Sequence, residues 1–296
     1  MREAVRSGPA YLATATTLLQ RVRLAHPTAG LYEAAELQWW WSVPRPTDDV
    51  GQLFWLDDAG DPVAAAVVND FGNGTSQVYT EPIMALIVLP EAGAAWVEHV
   101  VGRALEHFAG QGITTLELEL DRADVVGRDT LFGFGFEVIG DGVESGWLDA
   151  ADRPAITPLA DGYRLTARSE ISSATHHLAT ERSPAIEDRL RQTSLYRPDL
   201  DLVVLDQSDE PAAFGLCWFD QTTRVGLVEP MRTHEQHRGR GLARHLLTSG
   251  AGLLFDAGAS RISISYEPGN PASGPLYRSI GFEPYRRSDI IGRAPG

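Results

Sequence analysis

Alternating apolar and polar positions divide the chain into short strands separated by acidic turns. The stretches LFWLDDAGDPVAAAV (53–67) and LVVLDQSDEPAAFGL (202–216) each read as an apolar strand, an acidic hairpin turn and a second apolar strand. GITTLELEL (112–120) and GASRISISY (258–266) each show a glycine, a short polar step and a half-buried strand of period two. The hairpins are offset by 149 residues and the later strands by 146, and Gly-Phe-Glu at 135–137 returns at 281–283 with the same offset of 146. Ordered matches at nearly constant offset predict a duplicated domain. Each half reads as a helix-rich start, hairpin, strand, helix, strand, short helix and final strand. In the second half, Leu242, Leu246, Leu247, Leu253 and Leu254 form an apolar stripe at helical spacing. Prolines, aspartates and a glycine interrupt the pattern in DAADRPAITPLADG (149–162). The expected division is therefore residues 1–150, a linker 151–161 and residues 162–296, each half of mixed α/β class.

Composition narrows the partners. With 43% hydrophobic and 22% charged residues the chain has the balance of a globular protein with a sizeable core. Forty acidic against 25 basic residues, a formal net charge of −15, argue against nucleic acid or an anionic membrane surface. The single cysteine, Cys217, excludes an internal disulfide and reads as a small buried hydrophobe. The first residues lack a sustained apolar core followed by a cleavage site, so a cytoplasmic location is expected.

Against that acidic background, Arg238-Gly239-Arg240-Gly241 lies between an apolar strand, RVGLVEPM (224–231), and the helical stripe. Strand, glycine-rich loop and helix is the arrangement in which unpaired N–H groups at a helix N-terminus converge on an anion. Pro230 cannot donate a ladder hydrogen bond and marks a break or bulge in its strand. The segment Arg238–Ala243 satisfies the Q/R-x-x-G-x-G/A signature of the GCN5-related N-acetyltransferases (GNAT), and GNPASGPLYRSIGFEPY (269–285) resembles the same family's N-x-x-A-x-x-L-Y-x-x-x-G-F element. The resemblance covers about residues 162–290. It implies two tandem GNAT-like domains, each a mixed, mostly antiparallel twisted sheet flanked by helices, with a splayed central strand pair. It further implies acetyl-coenzyme A as cosubstrate. Arg238, Gly239, Arg240, Gly241, Leu242 and Ala243 would hold the pyrophosphate, Met231, Arg232 and Thr233 the pantetheine arm, and Asn270 and Ser273 would flank it. Tyr277 would be the proton donor to the departing sulfur, and Glu229 the candidate base. Ser273 stands where the family usually has alanine, and Gly274-Pro275 are poor choices for a helix interior.

The first half resembles the fold without the chemistry. After PIMALIVLP (82–90) comes EAGAAWVEHVVGRAL, which has no G-x-G pair, and Thr130-Leu131-Phe132 offers no phenol. This copy is expected to be catalytically silent and to shape the acceptor site or stabilise the pair. Glu33, Trp40 (in the triple tryptophan 39–41) and His176 are candidate contacts for the acceptor, a small-molecule or peptide amine. His234, His237 and His245 match no metal spacing, and no metal is expected. A monomer and a homodimer are both compatible with the sequence. Two other readings stay open: an acyl-CoA-binding regulatory or assembly protein, and transfer of a longer acyl group.

Overall fold

The computed structural model describes residues 1–72, 79–173 and 175–293. It divides into two compact units, Met1–Glu144 together with the chain from Arg286 onward, and Ser145–Tyr285. The first unit contains β1 (Arg2–Arg6), α1 (Gly8–Ala25), α2 (Ala34–Trp41), β2 (Gln52–Leu56), β3 (Pro62–Asn69), β4 (Ile83–Val88), α3 (Ala94–Ala109), β5 (Glu117–Asp121), α4 (Val125–Gly133) and most of β6 (Phe136–Asp149). The second contains the end of β6, then β7 (Arg164–Ala167), α5 (Ile186–Leu190), β8 (Asp201–Leu205), β9 (Pro211–Asp220), β10 (Val225–Thr233), α6 (Leu242–Asp256), β11 (Arg261–Tyr266), α7 (Ser273–Ile280) and the start of β12 (Glu283–Arg293). None of the described helices is long and apolar enough to cross a membrane.

The repeat extends to register. In β2–β3 the pairing shifts between Trp55 and Leu56, which faces Pro62. In β8–β9 it shifts between Val204 and Leu205, which faces Pro211. These positions correspond at the 149-residue offset read from the sequence. Proline at the start of the second strand donates no ladder bond, and a bulge there re-aims the strand that follows.

The unit boundary differs from the sequence expectation at 150–161. The last strand leaves the second unit: β12 pairs antiparallel with β5, from Ser288 opposite Asp121 to Gly292 opposite Glu117. Ser288 Oγ donates to the buried Glu119, Arg286 donates to the Thr28 carbonyl, and Arg122 pairs with Asp289. An alternating final strand can pair with a strand of either unit, so periodicity could not assign it.

The helix-rich start holds for the first unit only. Tyr11, Leu12, Ala15, Leu18, Leu19 and Val22 line the buried face of α1. Residues 175–185 of the second unit form bends and turns rather than a helix, because THHLATERSPA has no helical stripe and carries Pro184. Glu33 is not on α2 but caps it, in a reciprocal capping box with Glu36, and its carboxylate is ion-paired with Arg23. The three tryptophans are all buried, since α2 is covered on more than one side. Trp41 packs edge-on against Tyr11, and Trp40 against Tyr32 and Phe71. Glu33 and Trp40 are thus part of the core of the first unit rather than an acceptor-site wall.

In the second unit Leu242, Leu246, Leu247, Ala251 and Leu254 pack into one core with Val204, Ala213, Cys217, Ile262 and Ile264. Each leucine, isoleucine or valine among them contributes about 1.5–3 kcal/mol on full burial. Leu253, expected in the stripe, lies at the edge of the buried arc and is 40% exposed. Gly250 lets α6 approach β9: a methyl group there would lie 2.6 Å from Cys217 Sγ. Gly250→Ala should therefore destabilise the protein on denaturant unfolding, overpacking of about 1–3 kcal/mol exceeding the roughly 1 kcal/mol gained in helix propensity. Adding Cys217→Ala should recover more than half of that loss, since it removes the clashing sulfur.

Candidate active site

The site in the second unit begins where a sheet stops pairing. β10 runs parallel to β11 from Val225–Arg261 to Leu227–Ser263, and the described ladder ends there. On its other side, the register with β9 slips between Val228 and Met231, on either side of Glu229 and Pro230. Pro230 has no N–H to leave unpaired, and the Glu229 carbonyl accepts from Trp218 Nε1 at 2.7 Å. The expected bulge is present, and Met231–Thr233 continue along β9 with an open edge.

A cleft of about 590 Å³ occupies this opening. Met231, Arg232, Thr233, Arg238, Gly239, Gly241, Leu242, Ala243, Asn270, Ser273 and Tyr277 all line it, so most of the candidate positions converge. Gly239 and Gly241 have φ of +75° and +76°, and a methyl group at either would meet nothing within 4 Å. Backbone conformation, not space, demands glycine here. Gly241 caps α6 without a side chain, so the first N–H groups of the helix are available to a ligand. Arg232, Arg238 and Arg244 add positive charge, and no acidic residue is among the described residues lining the cleft. In a chain of net charge −15 this is a local concentration of cationic side chains.

Arg240 does not line the cleft; its guanidinium lies 5.9 Å from the centre of the Tyr163 ring. Asn270 Oδ1 accepts from the Ala272 N–H at 3.1 Å and turns the chain into α7. Pro275 is the third residue of that helix, where no intrahelical N–H is needed. Gly274 is required by packing, since a methyl group would come within 2.9 Å of the Tyr266 ring.

Tyr277 is 7% exposed, packs edge-on against Tyr266 and faces the cleft. Burial pushes its phenol up to about 12, while a hydrogen bond with Ser273 pulls it down. It remains a proton-bearing donor at neutral pH. Glu229 is half-buried on β10 and does not line the cleft itself. Its charge acts on Arg182, whose guanidinium is pulled below its ordinary range by burial and held up by Glu229 and Glu181. Glu181 also bridges Arg232 at 2.7 Å and His234 at 3.2 Å. Sequence reasoning missed Glu181 and Arg182, because they sit in an aperiodic segment with no motif.

His176 is not on a cleft wall. It is buried, and its Nε2 lies 2.8 Å from Asp201, which also accepts from Tyr196 Oη at 2.9 Å. With His177 these residues could offer ligand atoms within 4.8 Å of one another. The hydrogen bonding opposes a metal: Leu178 N–H donates to His176 Nδ1 at 3.0 Å, so Nε2 must carry the proton and give it to Asp201. Burial likewise pushes the Cys217 thiol up to about 12, which suits a packing residue rather than a nucleophile.

Residues 166–282 match the model of a family described as Acetyltransferase (GNAT) family. Among solved structures, a tandem GNAT protein from the clavulanic acid biosynthesis pathway is 16% identical, covering all of this chain and 98% of its own, with a TM-score of 0.68. A GCN5-related N-acetyltransferase from Sphaerobacter thermophilus is 17% identical over 98% of this chain and 95% of its own, with a TM-score of 0.63. A GNAT-family acetyltransferase from Colwellia psychrerythraea is 14% identical over 99% of this chain and 100% of its own, at 0.59. No curated protein matches the chain by sequence. At these identities the structural likeness establishes a shared tandem fold.

Burial pulls the His177 imidazole down to about 4; Asp201 and Glu187 oppose this, and His176 and Arg168 add to it. Its ordinary value is 6.5, so on acidification the unfolded chain takes up this proton first. Stability is therefore expected to be insensitive to His177 above about pH 6.5 and to fall by up to roughly 3 kcal/mol toward pH 4. Urea midpoints measured between those limits should show this slope, and His177→Phe should flatten it.

Proposed function

We propose that the chain, whose residues 166–282 match the Acetyltransferase (GNAT) family model, is an acyltransferase that moves an acetyl group from acetyl-coenzyme A directly to a primary amine. The observation that carries this reading is a single cleft that holds both an arginine-rich, uncapped helix N-terminus and a buried tyrosine. The residues fit the coenzyme. Arg238, Gly239, Gly241, Leu242 and Ala243 would take the pyrophosphate, with Arg244 beside them, and the open edge at Met231–Thr233 the pantetheine arm. When bound, the coenzyme supplies the thioester that acylates the amine.

The chain's own groups supply the rest. Backbone N–H groups near Met231–Arg232 would polarise the thioester carbonyl. Tyr277 Oη would give its proton to the departing sulfur, and Glu229 would accept one from the amine, directly or through water. Glu229 acts on Arg182 and is not among the described residues lining the cleft, so its reach to the acceptor is the less direct of the two. We propose a small-molecule or peptide amine as acceptor, and a cytoplasmic location.

Calorimetric titration with acetyl-coenzyme A should give one site in the second unit. Ala243→Asp should weaken that binding at least tenfold while leaving the fold intact, because an acid in the first turn stabilises a helix but repels phosphate, each effect being about 1 kcal/mol or more. Unchanged affinity in this variant would refute the assigned phosphate site. Tyr277→Phe should lower kcat by about 10²-fold or more, with coenzyme affinity retained. Glu229→Gln should lower kcat/KM by about tenfold or more and remove the acid limb of its pH profile; an unaltered profile would exclude Glu229 as the base.

A further inference from the structure

The first unit keeps the opening between two parallel strands but inverts its chemistry. β4 meets β5 at Ile83 and Glu117. Beyond that point lies a cavity of about 340 Å³, walled by Leu19, Val22, Leu86, Val88, Leu120 and Leu131. Its ionisable members are Tyr32, Glu119, Asp121 and Asp124, and no Lys, Arg or His is among the described residues lining it. Two of the acids have structural partners: Arg286 lies 3.0 Å from Asp121, and Asp124 accepts from the Gly127 N–H at 2.8 Å in capping α4.

Tyr32 and Glu119 are left for the cavity. Glu119 is buried in the middle of β5 and accepts from two neutral hydroxyls, Tyr79 Oη at 2.9 Å and Ser288 Oγ. Burial holds its carboxyl above the ordinary range, opposed by the Ser288 and Tyr79 hydroxyls and by the charge of Arg286. Tyr32 is 5% exposed, and its Oη has no hydrogen-bond partner among the described residues. Buried phenols without a partner are rare in folded proteins and call for an explanation. The charge of Glu119 acts on this phenol, which places both groups in one electrostatic environment.

We infer that this cavity binds a small organic ammonium ion with an apolar body. Its N–H groups donate to Tyr32 Oη and Glu119, and its carbon frame covers the leucine and valine wall. The acid-lined, cation-poor surface disfavours phosphates and carboxylates for the same reason that the arginine-lined cleft of the second unit attracts them. The apolar wall disfavours a strongly hydrated polycation, which would lose its water without replacement. This assignment does not depend on the proposed transfer reaction.

The test is a calorimetric titration of the full chain with phenethylammonium, using 3-phenylpropanoate as the anionic control. Phenethylammonium should bind at one site that persists in saturating acetyl-coenzyme A and in Ala243→Asp, and 3-phenylpropanoate should not bind. Tyr32→Phe should weaken the ammonium by about tenfold, the weight of one hydrogen bond to a charged group. Leu86→Trp, which fills the cavity, should abolish binding. Absence of ammonium binding, equal affinity for the carboxylate, or full affinity in Tyr32→Phe overturns the assignment. Should Leu86→Trp fail to fold, Tyr32→Phe decides alone, since it keeps the ring and removes only the hydroxyl.

Discussion

A strand that stops pairing on one side is the constraint on which the second unit depends. Backbone N–H and C=O groups withdrawn from a ladder are costly unless another partner meets them. The chain limits that cost at the point of release: Pro230 has no N–H, and the Trp218 indole takes the Glu229 carbonyl at 2.7 Å. Past the slip, β10 still holds to β9 through Met231, Arg232 and Thr233, so the open edge is rigid rather than frayed. The loop to α6 then needs two left-handed residues, supplied by Gly239 and Gly241, to bring an uncapped helix end to the same opening.

The two units show how little of the scaffold has to change for the charge lining its cavity to reverse. Both keep the hairpin with a bulge at the same place, and both part their parallel strand pair to leave a cavity. In the second unit the described lining carries three arginines and no acid; in the first it carries three acids and no cation. Field strength in a low-dielectric cleft depends on such lining charges far more than on the net charge of the chain. A shared fold therefore argues for shared geometry and leaves ligand class to the residues that face the cavity.

Buried polar groups divide along the same line. His176 and Tyr196 share one carboxylate oxygen of Asp201, and Arg23 pairs with Glu33; both sets lie within the cores. Tyr32 is different because its hydroxyl is buried at a cavity with no described partner. Burial alone does not distinguish a structural residue from a binding one; position at a cavity adds the second criterion.

Much of the site was legible in the residues because its requirements are local. Glycine at positive φ, an apolar stripe of period 3.6, proline where no N–H is wanted and an Asn that turns the chain into a helix are all written within a few positions of where they act. The duplicated hairpins were legible for the same reason. The sequence by itself thus determined the two-fold repeat, the strand–loop–helix at Arg238–Ala243 and the placement of Tyr277 on the helix after Asn270. Tertiary structure alone decided which way Arg240 turns, that Glu33 and His176 are sealed in cores, and that Glu181 and Arg182 come up to β10. It also decided that the last strand joins the first unit, through contacts such as Ser288 to Glu119, 169 positions apart. Local dihedral and periodicity preferences carry no information on such pairings, because an alternating strand fits any sheet edge and a side chain's partner is fixed only by what packs beside it.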